Sequence, residues 1–577
     1  MSRPALVLDD ATDRLPQAGG SAGPWQVVAD GDLYYRGDLL RRIGGDDADT
    51  ATLIARALER GDEDALHWFE GDFTFIAWHT TQRRLIAARD FSGRYPLVYA
   101  WHERRLYIGR SERELLADGR LPRSLDLANL AIVAAGMWSQ GDFTVYTAIR
   151  ELPAGSVLRW RPGSAPVLRR FWSPEPSAPH RGTLEDAASE LRQLLDVAVR
   201  ERVDPEGRTA VTLSGGWDST AVYASAHAIG APVHSVSISY PEGDPGREDE
   251  TIASVTRHWG DEPDFIDIAD IPFYADWAAE AARRPRPFAH AYERWNRALA
   301  RRANERGARV ILDGVGGDQL FQVSEIYLAE LFRRGHWISL ARELPARSTY
   351  DGTLRTLYRW AIRPNLPKSL SDRISRWRGL MPARHYLDRL PPIWFRRSFL
   401  EAHGVMQREF AHQPKPSTKN HVLAEAQAYL SLPFYPRVFA HLTGFARDEG
   451  VTLRSPLLDE RIVRFSLARP WSDRIRGPET KRSLRLAMRG RLPDEVLAPR
   501  PRRTGTTNGY MRREMLRAGW PVAESLLDSM RLVDIGMVEP TRYRRAWDHI
   551  RQHEDDDTTA RLFFTLQAEL WLRSHLA

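Results

Sequence analysis

Ser214-Gly215-Gly216-Trp217-Asp218-Ser219 follows a short apolar run at 209–213 and opens a stretch of helical periodicity over 220–229. Nothing else in the chain restricts the fold as tightly. The two glycines let the backbone approach a ligand closely, and the helix start offers unpaired N–H groups and the positive end of a dipole. The serines add hydroxyl donors, such a loop suits a phosphate, and Asp218 can hold Mg²⁺ against it. Further strand-like runs at 233–239, 264–268 and 309–312 alternate with helical stretches at 248–259 and up to residue 306. Strands alternating with helices predict a parallel, doubly wound sheet.

The region before this unit reads differently. Short β-prone runs at 71–78, 84–89, 95–100 and 105–109 lie close together, separated by turn residues such as Ser92-Gly93, with a short helix at 50–60. That spacing predicts antiparallel sheets. A Pro- and Ser-rich segment then marks a linker at 173–183, dividing the chain into domains at 1–172 and 184–577. Beyond about residue 320 the pattern is mostly helical, with loops at 364–367 and 413–419. The 577 residues exceed the about 100–200 typical of one domain, which agrees with this division.

Composition removes several classes. There is no cysteine, so disulfides, thiolate metal sites and cysteine-dependent glutaminases are excluded. The longest uncharged apolar stretch, 127–138, is about half the ~20 residues of a spanning helix, so no membrane span is expected. The first residues turn acidic before any signal-like core, and a cytoplasmic protein is expected. A net charge of +6 is modest, so nucleic acid is not expected as a partner. Lys368, Lys415, Lys419 and Lys481 are the only lysines beside 78 arginines, which makes each lysine worth noticing.

The motif SGGxDS resembles the loop of the ATP pyrophosphatase family, which cleaves ATP between the α and β phosphates to adenylate a substrate. Leu312-Asp313-Gly314-Val315-Gly316-Gly317-Asp318-Gln319-Leu320-Phe321 resembles the SGxGxDExF segment of asparagine synthetases. Arg454-Ser455-Pro456-Leu457-Leu458-Asp459 is similar to their RxPFLD, and Lys481-Arg482-Ser483-Leu484-Arg485-Leu486-Ala487 to their KxxLRxA. Gly71-Asp72-Phe73-Thr74-Phe75 and Ala88-Arg89-Asp90-Phe91-Ser92-Gly93-Arg94-Tyr95-Pro96-Leu97 resemble the glutaminase-type domain of the same enzymes. The resemblance implies an α+β glutaminase-like sandwich of the N-terminal-nucleophile type. An α/β ATP pyrophosphatase domain with a parallel sheet and extra helices would follow it.

It further implies ATP and Mg²⁺ as cofactors. The metal would sit on Asp218 and Asp318, and Lys481 would join them in catalysis by binding pyrophosphate. The nucleotide would contact Thr212, Leu213, Ser214, Gly215, Gly216, Asp218, Ser219, Ser239, Gly314 and Lys481. Glu250 stands in a helix start that also resembles the family, although a plain first-turn acid fits it equally well.

The departures narrow the substrate. Amidotransferases of this type use an N-terminal cysteine, whereas this chain carries Ser2 in surroundings unlike a glutaminase start. Val315 stands where β-lactam synthetases place a base-dyad Tyr and asparagine synthetases an acid. Thr452 replaces a second acid of the asparagine synthetases, and Arg502 or Arg503 their RPK lysine. Residues 355–397 hold eleven Arg and Lys against two Asp, interleaved with Trp360, Trp377 and Trp394. Such a stretch can grip an acidic or aromatic peptide or a partner protein, or can be solvated helix faces. With these departures, the resemblance implies first a lasso peptide cyclase. It would adenylate an Asp or Glu side chain of a core peptide and close a macrolactam on the peptide's N-terminal amine, releasing AMP and pyrophosphate. A precursor peptide, a leader peptidase and a leader-binding protein would be its partners. A small-molecule amide synthetase, β-lactam-forming or ammonia-using, is the alternative. A non-catalytic binding protein is a third, and the intact Asp218, Asp318 and Lys481 speak against it.

Overall fold

A computed structural model describes residues 5–15, 19–137, 141–176, 182–273, 276–347, 352–367, 369–370, 373, 390–411, 419–499, 505 and 507–575. Its first ten strands are β1 (Leu6–Leu8), β2 (Gly20–Ala22), β3 (Trp25–Tyr34), β4 (Glu70–His79), β5 (Arg84–Arg89), β6 (Val98–His102), β7 (Arg105–Gly109), β8 (Arg150–Glu151), β9 (Ser156–Trp160) and β10 (Val167–Arg170). They form a six-stranded sheet, β10-β9-β5-β4-β3-β2, and a four-stranded sheet, β1-β7-β6-β8. Every pairing in both is antiparallel. Strand β4 shows how they stack. Alternate side chains leave a strand on opposite faces. Ile76 and Trp78 meet Leu106 and Ile108 of the smaller sheet, while Phe73, Phe75 and Ala77 meet Leu53, Ile54 and Leu58 of the helix Thr50–Gly61. The central strands β4 and β5 of the larger sheet are buried on both faces, while its edge strand β10 is exposed.

Two details depart from the sequence reading. The run at 95–100 becomes a strand only from Val98, because Pro96 has no N–H for a ladder. Strand β3 is not legible at all. Its acids and Gly31 break the alternation, yet Gly31 (φ +100°) lies so close to β4 that a Cβ would meet the Asp72 carbonyl at 2.1 Å.

Thr183 caps the helix Leu184–Arg200, a helix of the second domain, through a reciprocal box with Asp186. The sheet of that domain is built from β11 (Thr209–Thr212), β12 (Val233–Ser239), β13 (Phe265–Asp267), β14 (Val310–Leu312) and β15 (Thr452–Arg454), in the order β13-β12-β11-β14-β15. All four pairings are parallel. Helices Leu184–Arg200 and Trp217–Ala228 cover Val211, Val310 and Leu312 on one face. Glu293–Glu305 and Phe434–Asp448 cover Ala210, Val236 and Ile311 on the other. Beyond residue 320 the chain is mostly helical, as expected, and the fifth strand is an addition to that reading: three residues carry too little periodicity to read. The helix after the SGGWDS turn starts at Trp217, three residues before its sequence-based start, so Asp218 and Ser219 lie in its first turn. Among the described residues no helix is long and apolar enough to cross a membrane.

The two domains are joined by buried charge. Glu151 of β8 accepts from Arg89 (2.9 Å) in its own domain and from Arg286 (3.1 Å) and Arg437 (3.0 Å) in the other. Burial opposes its charge, but the arginines hold its carboxyl well below the usual range. Asp459 accepts from the Tyr35 hydroxyl and from Arg202, both at 2.8 Å, and caps the helix Glu460–Ala468 through the Arg461 N–H. Asp459→Ala would strand Arg202, which is 4% exposed, without its counter-ion. The variant is expected to lose about 3–5 kcal/mol of stability, and Asp459→Asn, which keeps the cap acceptor, less. Urea-unfolding midpoints of the three proteins check this.

Candidate active site

Because β11 and β14 are parallel neighbours, the loops leaving their C-terminal ends must meet. They meet at Asp218. A Cβ on Gly317 would fall 2.1 Å from the Asp218 Cγ, and one on Gly314 would fall 2.6 Å from the Ser219 backbone nitrogen. Only glycine allows the second loop to lie against the first helical turn. The first loop closes on itself: Ser214 N–H donates to the Ser219 hydroxyl at 3.1 Å, and Gly215 adopts φ +72°. Gly216 caps the helix, and the Trp217 indole donates to the Val496 carbonyl at 2.7 Å with Arg485 over its ring. The variable residue of the motif thus ties the loop to the segment beyond Lys481.

Lys481 arrives from a third direction. The hairpin Ile475–Arg476 and Glu479–Thr480 delivers it, and it caps the helix Arg482–Ala487 in a left-handed conformation (φ +50°) that non-glycine residues adopt at a cost. Its ammonium lies 2.5 Å from Asp218 Oδ2 and 2.6 Å from Asp318 Oδ1. Burial pushes the Asp218 carboxyl up to about 6, opposed by Lys481 and assisted by Asp318. Burial works against the Lys481 charge too, but the two carboxylates outweigh it and raise its pKa.

These groups line one cleft of about 820 Å³, toward the upper end of the about 300–1,000 Å³ of ligand sites. Thr212, Leu213, Ser214, Gly216, Asp218, Ser219, Gly314, Asp318 and Lys481 all line it. Gly215 backs the loop against Glu248, with 2.8 Å between its missing Cβ and the Glu248 Cβ. Ser239 is turned differently: its hydroxyl donates to Asp249 at 2.5 Å. Glu250 is exposed and paired with Arg247, while the cleft takes its neighbour Glu248. Glu248 and Asp249 went unread because three consecutive acids at a helix start look alike until the helix phase is known.

The residues fit a divalent cation. Asp218 Oδ1 is buried without a hydrogen-bond partner, and a positive charge already bridges Asp218 and Asp318. Among the described residues no group of three or more His, Cys, Asp or Glu could hold a metal, so a cation held by Asp218 and Asp318 would take its other ligands from phosphate oxygens and water. Much of the basic 355–397 stretch, with Trp377, lies outside the described residues, as do Ser2, Arg502 and Arg503. Trp394 is 2% exposed in the core beside the helix Asp556–His575, where its indole donates to Thr565, so it grips no ligand.

Residues 190–573 match the Asparagine synthase family, and residues 22–172 match the Glutamine amidotransferase domain. Carboxyethyl-arginine beta-lactam-synthase of Streptomyces clavuligerus is 30% identical over 279 residues, 47% of this chain and 51% of that protein. Asparagine synthetase (glutamine-hydrolyzing) 3 of Bacillus subtilis strain 168 is 26% identical over 253 residues, covering 41% of this chain and 40% of the relative. Amidase chry2 of Gibberella zeae is 27% identical over 210 residues, 35% and 30% respectively. The matches span about half or less of the length of these curated relatives.

Gly317→Ala gives the sharpest test of this geometry. The added methyl must displace the Asp218 carboxylate and break its contact with Lys481. Pyrophosphate release is expected to fall about 100-fold or more, the scale of losing one well-aimed electrostatic group. Circular dichroism should stay that of the parent.

Proposed function

The chain belongs to the asparagine synthase family, and on that footing we propose that it is an ATP-dependent, AMP-forming amide ligase acting on a peptide, a lasso peptide cyclase. The observation that carries the ligase reading is Lys481 held between Asp218 and Asp318 at the phosphate loop. A substrate carboxylate would attack the ATP α-phosphorus, and pyrophosphate would leave toward Lys481 and the N–H groups of the loop. Mg²⁺, when bound by Asp218 and Asp318, would supply charge neutralisation for that pyrophosphate. Lys481 suits the task as a compact cation, and its fixed position means little reorganisation as charge develops. In the second half-reaction an amine would attack the acyl-adenylate and AMP would leave. A tethered amine gains its rate from alignment, which the cleft walls must provide.

Two features support a peptide. Val315 takes the loop position where small-substrate relatives carry an acid or a Tyr. Beside it Trp295, Leu299 and Leu442 make an apolar wall that suits a folded chain better than a small amino acid. A small-molecule amide synthetase is the second reading, favoured by the 30% identity to a beta-lactam-synthase. With no cysteine, glutamine is not the nitrogen source.

ATP–pyrophosphate exchange separates the readings. It is expected to depend on a linear peptide with a free N-terminus and an internal Asp or Glu, and to be absent with free aspartate or N-carboxyethyl-arginine. Cyclised peptide should accumulate with AMP. Exchange driven by the small acids alone would transfer the assignment to the second reading. Glutamine should not stimulate turnover, and Ser2→Ala should leave the rate unchanged. Ammonia released from glutamine would restore an amidotransferase.

A further inference from the structure

The loop after β14 holds another carboxylate that the adenylation chemistry leaves unused. Asp313 is 8% exposed and forms part of the cleft wall. Its own N–H donates to the Arg454 carbonyl (3.2 Å), which fixes the backbone against β15. The Ser455 hydroxyl and the Val315 N–H (3.1 Å) both donate to Oδ1, which fixes the side chain. Both bonds fall on one oxygen. Oδ2 is left for a ligand in the cleft, one residue from the Gly314 that touches Ser219 and Asp218. A carboxylate this buried needs a counter-charge. Arg94, brought in by the first domain and 1% exposed, supplies part of it while also facing Asp72 at 3.5 Å. Burial raises the Asp313 pKa, and the Arg94 charge acts against that rise.

Resting on the amide-ligase reading, we infer that Asp313 is the catalytic carboxylate that receives the acceptor amine, Oδ2 binding the substrate ammonium and accepting one of its protons. The ammonium arrives as R–NH₃⁺ and pairs with the carboxylate. One proton passes to Oδ2, and the nitrogen lone pair then forms the bond to the acyl carbon. The bond from that carbon to the AMP oxygen breaks, its electron pair leaving on AMP. The remaining excess proton on nitrogen is lost to water, and Asp313 returns its own proton to solvent. Positioned proton acceptors of this type contribute about 10²–10⁴-fold.

Asp313→Asn isolates this role, because the amide oxygen still accepts from Ser455 and Val315. With a synthetic peptide bearing a free N-terminus and one internal Asp, exchange of pyrophosphate should stay within about twofold of the parent. Amide formation should fall by about 10²-fold or more. Hydroxylamine, neutral at pH 7, needs no proton acceptor and should trap the acyl-adenylate as hydroxamate equally well in both proteins. Methylamine, protonated at that pH, should be used by the parent only. Unchanged amide formation in Asp313→Asn would overturn the inference and leave the ligase reading intact. Parallel loss of exchange, amide and hydroxamate would make Asp313 structural and overturn it as well. Absence of exchange in the parent protein would sink the ligase reading and this inference with it.

Discussion

The ammonium of Lys481 lies between two carboxylates in the first turns of two different helices, and most of the second domain can be traced to that juxtaposition. Asp218 is largely buried, and taking an unpaired carboxylate out of water costs several kcal/mol. Removing one partner of a buried pair typically costs about 3–5 kcal/mol, so the cation is not optional. To reach it, Lys481 accepts a left-handed backbone. To reach Asp218, the second loop gives up side chains at Gly314 and Gly317. To bring the loops together at all, β11 and β14 must be adjacent and parallel, as the pairing of Val211 with Leu312 makes them. Sheet order, glycine placement and backbone strain all serve one electrostatic arrangement.

The site was legible where chemistry demands particular residues at particular spacings. SGGWDS, the glycines around Asp318 and a rare lysine stand out because little else satisfies a phosphate. Asp313 and Arg94 did not stand out, since each owes its place to contacts far away in sequence. Asp313 is held by Ser455, and Arg94 crosses from the other domain. Ser239, a nucleotide contact that the resemblance implies, donates its hydroxyl to Asp249.

For the fold, long periodic segments were read well and short or interrupted ones were not. Strand 233–239 and the apolar runs of β5 and β7 came through because alternation or continuous burial leaves a pattern. Strand β15 has three residues and owes its state to the open edge of β14. Strand β3 carries Asp30, Gly31 and Asp32, which argue for a turn, and tertiary pairing with β4 overrides that local preference.

Those same acids bear on why a glutaminase-like domain persists without a thiol. Asp30 meets Arg447, Asp32 meets Arg454, and Asp38 and Glu70 meet Arg461, all across the domain boundary. Tyr35 joins Asp459, whose other partner, Arg202, is buried. The helix Asp556–His575 leans on the first domain as well, through Thr565 and the Ala134 carbonyl. Exposed pairs of this kind contribute about 0–1 kcal/mol each, but the buried members behave differently. Without the first domain Arg286 and Arg437 would lose Glu151, and the side of the cleft near Asp313 would lose Arg94. The second domain has therefore come to depend on the first for counter-charge. The wall of the cleft at Asp313 is thus held in part by charge that the first domain supplies.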